Sequence, residues 1–156
     1  LAAGRLIGLV WAGNPAHSND RGRSLPRGAY RHLQAPEGAR FVSLQCGPRR
    51  DEAGDVAGLI DVAGELTDFA ETAAVLACLD LVITVDTAVA HLAGALGRPT
   101  WLLLPFAPDW RWLPSRRDDS PWYASVQPLR QSHPGEWATP LRRVAAALAS
   151  GALSPA

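Results

Sequence analysis

Leu81-Val82-Ile83-Thr84-Val85-Asp86-Thr87-Ala88-Val89-Ala90-His91 decides how this chain folds. Its first five residues are apolar or β-branched with no polar alternation, the pattern of a strand covered on both faces. Val89 near its end opens a helically spaced stripe that continues through Leu92, Ala93 and Leu96, and Asp86 and Thr87 between the two parts are residue types that begin helices. A doubly buried strand running directly into a helix is the core of a βαβ unit.

The same alternation continues on either side. Strand-like runs recur at residues 6–11, 40–44, 59–62, 100–104 and, more weakly, 126–129. Helical stripes lie between them. Ala29, Tyr30 and Leu33 follow Ser24-Leu25-Pro26, and Phe69, Ala73, Leu76 and Leu79 follow Thr67 and Asp68. Val89, Leu92, Ala93 and Leu96 end at Gly97 and Pro99, and Trp137, Leu141, Val144 and Leu148 form the last stripe. Residues 50–58 read as a poorer helix, because Gly54 and Gly58 weaken it. Strands alternating with helices imply an α/β fold, a doubly wound and mostly parallel sheet of Rossmann-like form in the order 3-2-1-4-5-6. That order places a ligand beyond the carboxyl ends of the first and fourth strands, at residues 12–24 and 86–91. One domain over residues 1–150 is expected, with 151–156 a frayed tail.

Composition narrows the function. The 156 residues, 47% apolar and 19% charged, suit one ordered domain. No apolar run reaches the roughly 20 residues of a membrane-spanning helix. Fifteen acidic side chains balance fifteen basic ones, which argues against a general nucleic-acid binder. Cys46 and Cys78, without C-x-x-C spacing, read as reduced core thiols of a cytoplasmic protein. The chain has no Met and opens Leu1-Ala2-Ala3-Gly4 with no basic leader, so we expect an excerpt of something longer. No H-x-x-x-H pattern or Cys/His cluster suggests a metal.

Three segments carry candidate chemistry. At 86–91 a helix start exposes unpaired N–H groups and the positive end of its dipole, a site for phosphate. There the Thr87 hydroxyl adds a hydrogen bond, His91 one turn on can donate to an anion, and Asp86 can accept from sugar hydroxyls. The bland reading is that Asp86 or Thr87 only caps the helix and His91 packs on a strand. The loop 13–24 faces the same crevice with Asn14, His17, Arg21 and Arg23, and a guanidinium suits bidentate contact to phosphate. It matches neither the P-loop nor the G-x-G-x-x-G pattern. After the second strand, Asp51 or Glu52 is placed to hold a ribose diol, although an ordinary first-turn acid gives the same pattern. Finally, Phe106, Trp110, Trp112, Trp122 and Tyr123 put aromatics into one loop region, as a ring-binding wall, a partner surface or a self-packed loop.

The run 83–97, with Asp86-Thr87-Ala88-Val89-Ala90-His91 inside it, resembles the D-[ST]-x-x-x-H motif of glycosyltransferase family 9, the ADP-heptose:LPS heptosyltransferases. Gly8-Leu9-Val10-Trp11-Ala12-Gly13-Asn14-Pro15, residues 19–26 and Pro108-Asp109-Trp110-Arg111-Trp112 are similar to the glycosyltransferase-like C-terminal region of bacterial TPR-repeat proteins. The resemblance implies the C-terminal, donor-binding half of a GT-B glycosyltransferase. Its partners would be a nucleoside-diphosphate sugar, an N-terminal half carrying the catalytic base, and TPR repeats in the same longer chain. It implies inverting transfer with no metal cofactor. It also assigns Arg23 to the phosphates, as Arg where the heptosyltransferases tend to have Lys. Asp86, Thr87, Ala88 and His91 fall on the diphosphate and sugar contacts, and Asp51 or Glu52 on the ribose. The other reading is a non-catalytic, transferase-like module that binds partners.

Overall fold

The structure, a computed structural model, describes residues 4–113 and 118–151. Six parallel strands form one sheet in the order β3-β2-β1-β4-β5-β6, the order expected from the alternation. They are β1 (Arg5–Val10), β2 (Ala39–Ser43), β3 (Ile60–Asp61), β4 (Leu81–Val85), β5 (Thr100–Leu104) and β6 (Val126–Arg130). The α-helices are α1 (Asp20–Arg23), α2 (Phe69–Ala77), α3 (Ala88–Ala95) and α4 (Ala138–Ala149). Of the expected tail, 152–156 lies outside the described residues.

The central strands explain the unalternated runs. Ile7 and Leu9 of β1 join Leu81, Ile83, Trp101 and Leu103 in one buried cluster. Val10 joins Val42, Leu44, Leu76, Leu79 and Val82 in the cluster on the opposite face. Successive side chains point to opposite faces, and here both faces are covered. Burial of each such aliphatic side chain contributes about 1.5–3 kcal/mol. Gly8 lets the layers approach: a methyl group built there would lie 2.6 Å from Leu79 Cδ1. The Asp68 side chain caps α2 by accepting from the Glu71 amide at 2.8 Å, and Gly97, at φ +66°, follows the end of α3.

Several local expectations are corrected. The stripe at Ala29, Tyr30 and Leu33 is a single 3₁₀ turn, Ala29–His32, because Gly28 ahead of it sits at φ +69°. The poor helix near residue 50 is likewise 3₁₀, Pro48–Asp55. The third strand shrinks to two residues, since the Asp61 carboxylate turns outward to Arg50 at 2.8 Å and to the Ala63 amide at 3.1 Å. Both cysteines are free, as expected, but exposed rather than in the core. Cys46 lies past the end of β2, and Cys78 is the C-cap residue of α2.

Candidate functional site

The switch point between β1 and β4 is built first by a buried glutamine. Gln45, just after β2, accepts from the Trp11 amide at 2.9 Å and the Ala12 amide at 2.8 Å through Oε1. Its Nε2 donates to the Ala12 carbonyl at 3.1 Å and the Cys46 carbonyl at 2.8 Å. Where β1 leaves the sheet its backbone loses strand partners, and one side chain satisfies three of those groups. The chain then turns at Gly13, whose amide donates to Ser24 Oγ at 2.9 Å. Ser24 Oγ in turn donates to Asp20 Oδ1 at 3.0 Å, which ties the ends of α1 together.

The turn delivers Arg23 to the start of α3. The Arg23 guanidinium donates through Nη1 to the Asp86 backbone carbonyl at 2.9 Å. Its Nε lies 3.5 Å from Asp20 Oδ1, and the side chain is 13% exposed, so the cation is held at the junction rather than extended into water. Thr87 is the N-cap of α3, yet its side chain makes no capping hydrogen bond. Instead Thr87 Oγ1 faces Thr84 Oγ1 at 3.4 Å. The helix start therefore keeps first-turn amides uncapped by any side chain, next to a fixed guanidinium. Both features favour an anion.

His91 sits one turn further along. Its ring stacks on buried Trp112 with centroids 4.9 Å apart. Nδ1 meets the Tyr123 hydroxyl at 3.2 Å, and Nε2 lies 3.9 Å from Asp86 Oδ1. Tyr123 can lie there because α3 has Gly94 beneath it: a methyl group at Gly94 would come 2.5 Å from Tyr123 Cγ. Stacking and the hydroxyl contact together fix the ring so that Nε2 points along the Asp86 side of the crevice.

Two adjoining clefts meet at Arg23, Thr87 and Ala88. One, of about 420 Å³, is walled by Leu44, Leu66 and Val89 and reaches Asn14 and Gly47. The other, of about 610 Å³, is polar, with His17, Asp86, His91, Asp109 and Arg111 around it. Arg111 pairs with Asp109 at 2.8 Å and lies 4.7 Å over the exposed Trp110 ring. The hydrogen bond from the Arg111 amide, joined by the side-chain hydrogen bond and charge of Arg111, outweighs burial and holds the Asp109 carboxyl below its usual pKa.

Arg23, Asp86, Thr87, Ala88, His91 and Asn14 thus gather at one crevice. Arg21 is exposed and lines neither cleft. Asp51 and Glu52 do not line them either. Asp51 is paired with Arg27 at 3.1 Å. Glu52 is buried, bonded by Arg49 and by the Gly28 amide at 3.0 Å. Burial pushes the Glu52 carboxyl up, but the hydrogen bonds from Arg49 and Gly28, and the charges of Arg49 and Arg27, outweigh it and leave its pKa lowered. Sequence reading overlooked the part played by Gln45, Tyr123 and Asp109. Gln45 was visible as the residue ending the second strand, but its partners lie 33 and 34 residues away.

Residues 41–104 match glycosyltransferase family 9 (heptosyltransferase). Protein FlbA of Caulobacter vibrioides is 31% identical over 164 residues, which cover 99% of this chain and 26% of that protein. The chain therefore spans about a quarter of that relative's length. Among solved structures, E. coli ADP-heptose LPS heptosyltransferase II superimposes with a TM-score of 0.62 at 21% identity, over 95% of this chain and 47% of its own. E. coli heptosyltransferase WaaC with ADP-2-deoxy-2-fluoro heptose gives 0.59 at 19%, over 89% and 41%. A glycosyl transferase family 9 protein from Veillonella parvula gives 0.62 at 18%, over 84% and 36%. These likenesses establish a shared fold.

Proposed function

From the match of residues 41–104 to glycosyltransferase family 9, we propose that this chain is a member of that family and that its crevice holds the nucleoside diphosphate of a sugar donor. The observation that carries this is the meeting of the Arg23 guanidinium with the uncapped start of α3 between β1 and β4. The apolar cleft beside Leu44, Leu66 and Val89 suits the base, and the polar cleft with Asp86 and His91 suits the sugar. The diphosphate then bridges the two over Thr87. In transfer, an acceptor hydroxyl displaces the diphosphate from the anomeric carbon, and negative charge builds on the leaving oxygen. Arg23 and the α3 dipole neutralise that charge, the work a divalent cation does in other transferases. Asp86 accepts from sugar hydroxyls. The general base for the acceptor belongs to an N-terminal half beyond these residues. The ribose contact proposed for Asp51 or Glu52 requires release of Asp51 from Arg27, since Glu52 is already fully engaged.

Calorimetric titration with ADP, UDP and GDP tests the reading. Saturable heat with at least one of them, lost in Arg23→Ala, is expected. A folded sample giving no heat at millimolar nucleotide overturns it. A second reading rests on Trp110 and Trp122, 67% and 56% exposed beside Arg111. Exposed Trp and Arg are favoured interface anchors, so a non-catalytic module that docks a partner, such as neighbouring TPR repeats, predicts partner binding with no donor affinity.

A further inference from the structure

On the far side of the 106–112 loop lies a second cleft, of about 490 Å³, at the carboxyl ends of β5 and β6. Phe106 and Pro108 wall it, while Asp109 and Arg111 of the same loop face the polar sugar cleft. Arg130 and Arg143 line this second cleft together with Asp118. Arg130 reaches the Trp112 carbonyl through Nη2, but its Nε and Nη1 are buried without a hydrogen-bond partner. Among the described residues Arg130 makes no ion pair. Gln131, 5% exposed, is fixed by accepting through Oε1 from the Phe106 and Gly135 amides, both at 3.0 Å. That leaves its Nε2, also buried, without a partner.

Buried donors are nearly always paired, and an unpaired one calls for an explanation. Here three lie on two adjacent residues of one cleft. The planar guanidinium of Arg130 matches a planar carboxylate. We infer that this cleft is a carboxylate subsite, in which Arg130 and Gln131 bind the carboxylate of a small organic acid group whose carbon body packs on Phe106 and Pro108. Burial also lowers the basicity of Arg130, against the opposing charge of Asp118, so an arriving anion relieves a charge already short of solvation. The inference stands apart from the nucleotide crevice, because it shares none of that crevice's residues.

The test is an amide NMR titration of the Arg23→Ala chain with sodium acetate, at ionic strength held constant with chloride. The Arg23 substitution removes competition from the phosphate crevice. Saturable shifts at Phe106, Gln131 and Ser132 are expected, at millimolar affinity. Gln131→Glu keeps the acceptor for Phe106 and Gly135 but turns the free donor into a carboxylate, and affinity should fall at least tenfold. Arg130→Gln serves as the second variant should Gln131→Glu not fold, with the same loss expected. Shifts that never saturate, identical titrations in the variant, or tighter binding of inorganic phosphate than of acetate would each overturn the carboxylate assignment.

Discussion

The Arg23 guanidinium donates a 2.9 Å hydrogen bond to the backbone carbonyl of Asp86, 63 residues away in sequence. This contact ties the loop behind β1 to the point where β4 becomes α3. It holds a cation beside the helix start, with Nε turned toward Asp20, so that Nη2 is the guanidinium nitrogen left for the phosphate proposed above.

Removal of that cation should weaken nucleotide binding far more than folding. A hydrogen bond to a charged group contributes about 1.5–3 kcal/mol, so Arg23→Ala should lower the affinity for whichever of ADP, UDP and GDP binds roughly 10–100-fold by calorimetry. Arg23→Lys should recover part of it, since charge returns without the forked geometry. Equal affinity in the parent and Ala chains would remove Arg23 from the site.

Tyr123→Phe tests how His91 is held. The ring should stay stacked on Trp112, while the 3.2 Å hydroxyl contact disappears. A neutral hydrogen bond of this kind contributes about 1 kcal/mol, and ¹⁵N shifts of His91 should report a changed tautomer mixture. Gly94→Ala should act on the same pair by pushing Tyr123 aside. Overpacking costs about 1–3 kcal/mol, against about 1 kcal/mol gained in helix propensity. Net stability should therefore fall by about 0–2 kcal/mol, while the His91 resonances move.

Gln45→Leu should be among the most damaging polar substitutions in the chain. It leaves the Trp11 and Ala12 amides, both buried, without their acceptor. Each orphaned group costs about 1–3 kcal/mol, so urea unfolding should show a loss of about 2–6 kcal/mol. A loss within experimental error would mean that water replaces the side chain.

Acid should unfold the chain partly through Glu52. Its pKa is lowered in the folded state, so its stabilisation is fully present above the unfolded carboxylate pKa. It disappears as pH falls through the lower folded value. Unfolding free energies measured from pH 7 down to pH 3 should fall on the acid side. Glu52→Gln should flatten that fall, and a parallel curve for the variant would assign the acid sensitivity elsewhere.

Much of this was readable in the sequence because the central strands are buried on both faces. Leu81-Val82-Ile83-Thr84-Val85 could be nothing but an inner strand, and β4 has those bounds. The strand order then fixed which loops face one another, and Arg23 and Thr87 do meet. The features that could not be read depend on single side chains reaching across the fold. Arg27 lies 24 residues from Asp51, and nothing in the acidic run signals that pairing. Trp112 and Tyr123 looked like generic loop aromatics, and only the packed structure shows both against His91. The cysteines misled because apolar neighbours in sequence do not ensure a buried position at the end of a strand or helix.

Gln45 also bears on selectivity. Since it locks the floor of the crevice through four hydrogen bonds within the protein itself, an arriving ligand has no loop to order there, and little conformational entropy is lost on that side. Discrimination between one guest and another then falls to the rim, where Arg111 and Trp110 are exposed and held only by contacts among themselves and Asp109. Evolution could exchange the cargo of this fold by altering those few peripheral positions while the foundation stays unchanged.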